Sequence, residues 1–145
     1  MRTSDTRILT THVGSLPRTP PLRDLLVRQE RGEIIDEAAL GRQVEAAVAA
    51  AVHRQLEVGI DVGNDGEQPR VGFSTYVARR MRGFGGESRR PPARDVAEFP
   101  DYAAMLDARR RLGAKIANAP QAVAEVEYAD LSEAAAECDL FLRVT

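Results

Sequence analysis

The chain has 145 residues, 43% of them hydrophobic, with 20 basic and 22 acidic side chains and a formal net charge of −2. That length supports one ordinary core, so one domain is expected over 1–145, and the near-neutral balance gives no electrostatic case for nucleic acid or an anionic membrane as partner. One cysteine excludes an internal disulfide framework and fits a reducing compartment.

Residues 1–7 lack the apolar core of a signal peptide, and no apolar run approaches about 18 residues, so a cytoplasmic protein without a membrane span is expected. Ile8 to Val13 reads as a first strand, stopped by Gly14 and Pro17. Thr19-Pro20-Pro21 then allows a helix start, because proline is tolerated in a first turn. From Asp36 to Val58 the residues Leu40, Val44, Val48, Val52 and Leu56 recur every four positions and predict one apolar helical stripe. Asp36 suits the N-cap and Gly59 the C′ position of that helix. Ile60 to Val62 follows at once as a short strand, and so brief a helix-to-strand connection is the mark of a βαβ unit with a parallel sheet.

Phe73 to Met81 predicts a short helix, and 83–100, rich in glycine, proline and charge, a long surface excursion. Asp101 to Leu112 reads as a helix that Gly113 ends. Ala122 to Tyr128 alternates like a strand, and Ser132 suits the N-cap of a last helix ending in Leu140-Phe141-Leu142. The whole is an α/β pattern of about three strands, each followed by helical material. A closed barrel needs eight strands and about 250 residues.

Two strand ends carry the chemistry. After the first strand, Gly14 and Ser15 offer backbone N–H groups and a hydroxyl with little bulk nearby, suited to a small carboxylate or oxyanion. His12 beside them is a base, a metal ligand or a substrate contact. Otherwise Gly14 and Pro17 are only turn punctuation, and His12 packs at the sheet edge. After the second strand, Asp65-Gly66-Glu67 sets two carboxylates one residue apart, able to bind an ammonium group, orient a proton or hold a hard cation. Arg70 can pair with either acid or with a substrate carboxylate; the plain alternative is an acidic loop capping a helix. His53 reads as a helix-flank residue and Cys138 as a packed, inert thiol. Neither the histidines nor the cysteine show metal-ligand spacing, and no phosphate-cradling glycine loop is present.

Four strings taken together resemble a known family: residues 10–18 (TTHVGSLPR), 59–67 (GIDVGNDGE), 70–76 (RVGFSTY) and 83–86 (GFGG). They resemble the start of the cobalamin-independent methionine synthases. The closer likeness is to the single-barrel methyltetrahydropteroyltriglutamate–homocysteine methyltransferase-like members. The resemblance implies the N-terminal part of a (β/α)8 TIM barrel of the methionine synthase and uroporphyrinogen decarboxylase type. It implies zinc-assisted methyl transfer from a folate-type donor to a thiol such as homocysteine, in methionine biosynthesis. Gly14 and Ser15 then match the loop that contacts the amino-acid part of the thiol substrate, and Glu67 the acid that binds its amino group. His12 has no counterpart in the classical enzyme, which leaves the thiol open. The family's zinc ligands come from the later half of the barrel, so no ligand is carried onto Cys138.

The chain is therefore expected to be a truncated gene product, inactive alone, or one part of a split barrel completed by another polypeptide. An epoxyalkane–coenzyme M transferase-like thiol alkyltransferase and a non-catalytic partner subunit are the alternatives.

Overall fold

The structure is a computed structural model that describes residues 3–86, 91, 93–112 and 120–145. Its contacts divide into two compact units, Met1–Arg70 with Leu131–Thr145, and Val71–Asp130.

The first unit is built on three helices. In α1 (Pro20–Glu30) the two prolines occupy the first turn, and Leu22 and Leu26, four residues apart, are buried. Gly32, at φ +72, ends it in a Schellman motif, with Gly32 N donating to Gln29 O and Glu33 N to Arg28 O. The long helix α2 (Glu37–Glu57) begins and ends as its sequence predicts. Asp36 accepts from Ala39 N at 2.9 Å, and Gly59, at φ +78, supports a second Schellman motif in which Ile60 N donates to Gln55 O.

The buried stripe of α2 departs from the expectation at one end. Leu40, Val48, Ala51 and Val52 are buried, but Leu56 is 59% exposed and Gln55 takes its place at 5%. Four residues turn a helix by about 400°, so a strict every-fourth-residue line drifts about 40° per step off a fixed contact face. By Leu56 the line has left the core and Gln55 has entered it.

The last helix, α6 (Ser132–Val144), packs Leu140 against Val48 and Val52 of α2, with Val44, Phe141 and Val144 around them. It runs Ser132–Val144, so Ser132 is its first residue and Leu131 holds the cap position expected for the serine. The two expected strands Ile8–Val13 and Ile60–Val62 are reduced to a single parallel bridge, Thr11 with Val62, while Asp61 N and Val62 N both donate to Thr10 O at 3.1 Å. The parallel sense is as predicted. The ladder stays short because Ile8 and Val13 are each 85% exposed, and a parallel pair gains its stability from layers covering both faces.

The second unit is arranged differently from the third βα unit that was expected. After α3 (Phe73–Arg80) the chain enters β1 (Met81–Gly85), which pairs antiparallel with β2 (Gln121–Tyr128). The register shifts between Arg82 and Phe84, at Gly83. Gly83 has φ +88, and a Cβ there would lie 2.2 Å from Glu125 O, so the bulge requires glycine. The two-stranded antiparallel sheet replaces a parallel strand, because this bulge glycine and the alternating run at 121–128 together satisfy a hairpin-like ladder. Within 83–100, expected as a surface excursion, β1 continues to Gly85 and α4 (Arg94–Glu98) forms, followed by α5 (Pro100–Leu112). The helix stop expected at Gly113 lies outside the described residues. No described helix is long and apolar enough to cross a membrane.

Candidate functional site

The Thr11–Val62 bridge sets two loops side by side in the first unit. Asp61 fixes their base: its carboxylate accepts from both Arg7 Nη atoms, from Thr10 N at 2.9 Å and from Thr10 Oγ1 at 3.1 Å. The Arg7 hydrogen bonds, then the Thr10 N–H, hold that carboxyl well below the usual carboxylate range. Thr11 Oγ1 donates to Val62 O at 2.7 Å across the same seam.

Above the bridge, polar side chains do the work of missing ladder partners. Buried Gln55 donates through Nε2 to Asn64 O at 2.8 Å, and its Oε1 accepts from Asn64 N at 3.0 Å. Asn64 in turn donates through Nδ2 to His12 O at 2.6 Å and accepts from Gly66 N at 2.9 Å. Leu16 N donates to Gly66 O at 2.9 Å, and Gln68, 2% exposed, donates to Leu16 O at 3.1 Å. Gly66 is required on two counts. Its φ is +61, and a Cβ would meet Leu16 Cδ1 at 2.8 Å.

This scaffold brings Ser15 and Glu67 together: Ser15 Oγ donates to a Glu67 carboxylate oxygen across 52 residues of sequence. Gly14, at φ +92, leads into that corner. Asp65 is turned elsewhere. It accepts from Glu67 N at 2.9 Å through Oδ1 and forms an ion pair with Arg70 through Oδ2. Arg70 also lies 3.9 Å from the Glu137 carboxylate on α6. His12 does not join Ser15 and Glu67: its Nε2 donates to Gly14 O at 2.8 Å, which folds the ring back on its own loop. Asp65, Arg70 and Glu137 instead border an open pocket of about 320 Å³ shared with Asn64, Cys138 and Phe141. Cys138 is exposed there, not packed as its sequence context predicts, because Leu140 and Phe141 take the inward positions of α6.

Residues 8–90, more than half of the chain, match the family described as "Cobalamin-independent synthase, Catalytic domain". The chain belongs to the cobalamin-independent synthase family. It is 35% identical over 75 residues to the 5-methyltetrahydropteroyltriglutamate–homocysteine methyltransferase of a Synechococcus species and 37% identical over 76 residues to that of Shewanella oneidensis. Each match covers 52% of this chain and 10% of the relative. The methionine synthase of Sulfurisphaera tokodaii is 36% identical over 75 residues, 52% of this chain and 22% of that protein. The chain thus spans a small part of the length of the synthases it matches.

The donor chemistry present does not fit the zinc that the family resemblance implies. No group of three or more His, Cys, Asp or Glu side chains able to hold a metal occurs among the described residues. Asp65 is engaged by Arg70, the His12 Nε2 by Gly14 O, and Cys138 is a single thiol. Sequence reasoning singled out Gly14, Ser15, Glu67, His12, Asp65 and Arg70 but missed Arg18, Gln55, Asn64 and Gln68. A glutamine beside the apolar stripe of α2 was the available signal for Gln55. The others sit in loops with no period to mark them.

Proposed function

We propose that this chain carries the amino-acid-binding corner of a cobalamin-independent thiol methyltransferase. The thiol is one such as homocysteine and the methyl donor is of the folate type. Gly14 and Ser15 face the carboxylate side of the amino acid, and the Glu67 carboxylate receives its ammonium group in a charge-assisted hydrogen bond. The observation that carries the reading is the Ser15–Glu67 hydrogen bond, which joins two strand-end loops where α/β proteins place binding residues. His12, Asp65 and Arg70 shape the rim of this corner rather than its centre. The corner belongs to the first βα units of a TIM barrel whose remaining strands lie outside these residues, on the same gene product or on a second polypeptide. Zinc, if held by those other residues, would lower the pKa of the substrate's own thiol in the full assembly. These residues bind and orient the amino acid, and methyl transfer needs the remainder.

Calorimetric titration of the purified chain tests this reading with a matched pair of thiols. L-Homocysteine should bind at least about tenfold more tightly than 4-mercaptobutanoate, which lacks the amino group. Equal affinity, or tighter binding of 2-mercaptoethanesulfonate, would contradict it.

A further inference from the structure

Among the described non-glycine residues, Glu67 alone has positive φ, at 55°. An L residue takes that conformation only where its surroundings hold it. On the entering side, Asp65 Oδ1 accepts from Glu67 N. On the leaving side the hold comes from the other loop, where Arg18 Nη2 donates to Glu67 O at 2.6 Å and also to Arg70 O.

Arg18 is not there to neutralise an acid. Among the described residues its hydrogen bonds go to these two main-chain carbonyls, and its buried Nε has no hydrogen-bond partner. Burial lowers its pKa, and the negative charge of Glu67 opposes that shift. One planar guanidinium therefore spans a turn, itself closed by Arg70 N donating to Glu67 O at 3.3 Å, and ties it to the loop that bears Ser15.

We propose that Arg18 is a positioning residue, which holds the left-handed backbone of Glu67 so that its carboxylate is aimed at Ser15. The proposal rests on the reading of Ser15 and Glu67 as the amine-binding corner. It assigns the geometry of that corner to a residue that touches neither carboxylate.

The test is NMR on the isotope-labelled 145-residue chain. The three-bond amide-to-Hα coupling of Glu67, which reads φ, is compared in wild type and Arg18→Met, and both are titrated with L-homocysteine. In Arg18→Met the Glu67 coupling should change while amide shifts in α2 and α6 stay, and affinity should fall roughly tenfold. An unchanged coupling in folded Arg18→Met overturns the proposal, as does a changed coupling with undiminished affinity. If Arg18→Met does not fold, the double variant Arg18→Met/Glu67→Gly decides. Glycine adopts positive φ without strain, so refolding supports the proposal and failure to refold overturns it. A wild-type chain that binds no homocysteine would sink the functional reading, while the coupling would still decide what Arg18 does to Glu67.

Discussion

Asp65 and Glu67 stand two residues apart, yet their carboxylates serve different partners: Asp65 pairs with Arg70, and Glu67 accepts from Ser15. Gly66 makes the separation possible, since its positive φ turns the chain tightly between them under Leu16. The divergence keeps Glu67 apart from the Asp65–Arg70 pair, which anchors the loop, and the proposed amine-binding role uses the Glu67 carboxylate alone.

The Arg7–Asp61 pair predicts how stability depends on acid. The Asp61 carboxyl is depressed in the folded chain, so its contribution is present above the ordinary carboxylate pKa of about 3.9 and is lost as pH falls below it. Urea unfolding across a pH series should show stability declining below about pH 4. Asp61→Asn should be less stable at neutral pH and should lose part of that decline. Parallel curves for the two proteins would show that Asp61 does not contribute to the acid dependence.

Two glycines should respond to alanine with opposite signs. Gly41 lies inside α2, and a methyl group placed on its Cα would meet nothing within 4 Å, so Gly41→Ala should stabilise by about 0.5–1 kcal/mol. Gly66→Ala should cost about 1–3 kcal/mol, because the backbone is left-handed and Leu16 is in the way. Denaturant midpoints of the two variants check both signs at once.

The contact of α6 with α2 depends on few side chains. Leu140→Ala should therefore cost about 2–3 kcal/mol, whereas Leu142→Ala, at a 70% exposed position, should stay within about 0.5 kcal/mol. Hydrogen exchange along α6 should rise in the first variant and not in the second.

Purified without partners, the 145-residue chain should carry no stoichiometric zinc and should transfer no methyl group to homocysteine. Metal analysis beside a turnover assay would show it. Stoichiometric zinc together with turnover would mean that the residues present suffice for the whole reaction.

Helix ends were the most legible part of the sequence, because caps are local. Asp36, Gly59 and the Pro20-Pro21 start all act within one turn of their own position. Long-range pairing was less so. The alternation at 122–128 predicts a strand, but nothing local tells a parallel neighbour from the antiparallel β1, whose clue was Gly83 inside an apparent loop. The apposition of Ser15 and Glu67 was legible as two polar strand ends. The side chains that enforce it were not, since Gln55, Asn64, Gln68 and Arg18 bond main-chain atoms about 10 to 50 residues away. Such bonds leave no spacing in the sequence.

Whether Glu67 recognises an amino group is decided by one comparison. Affinities for L-homocysteine and 4-mercaptobutanoate are measured by calorimetry on wild type and on Glu67→Gln, which keeps the shape and removes the charge. Wild type should prefer homocysteine by about tenfold or more, and Glu67→Gln should lose most of that preference. A preference that survives intact in folded Glu67→Gln would contradict that role.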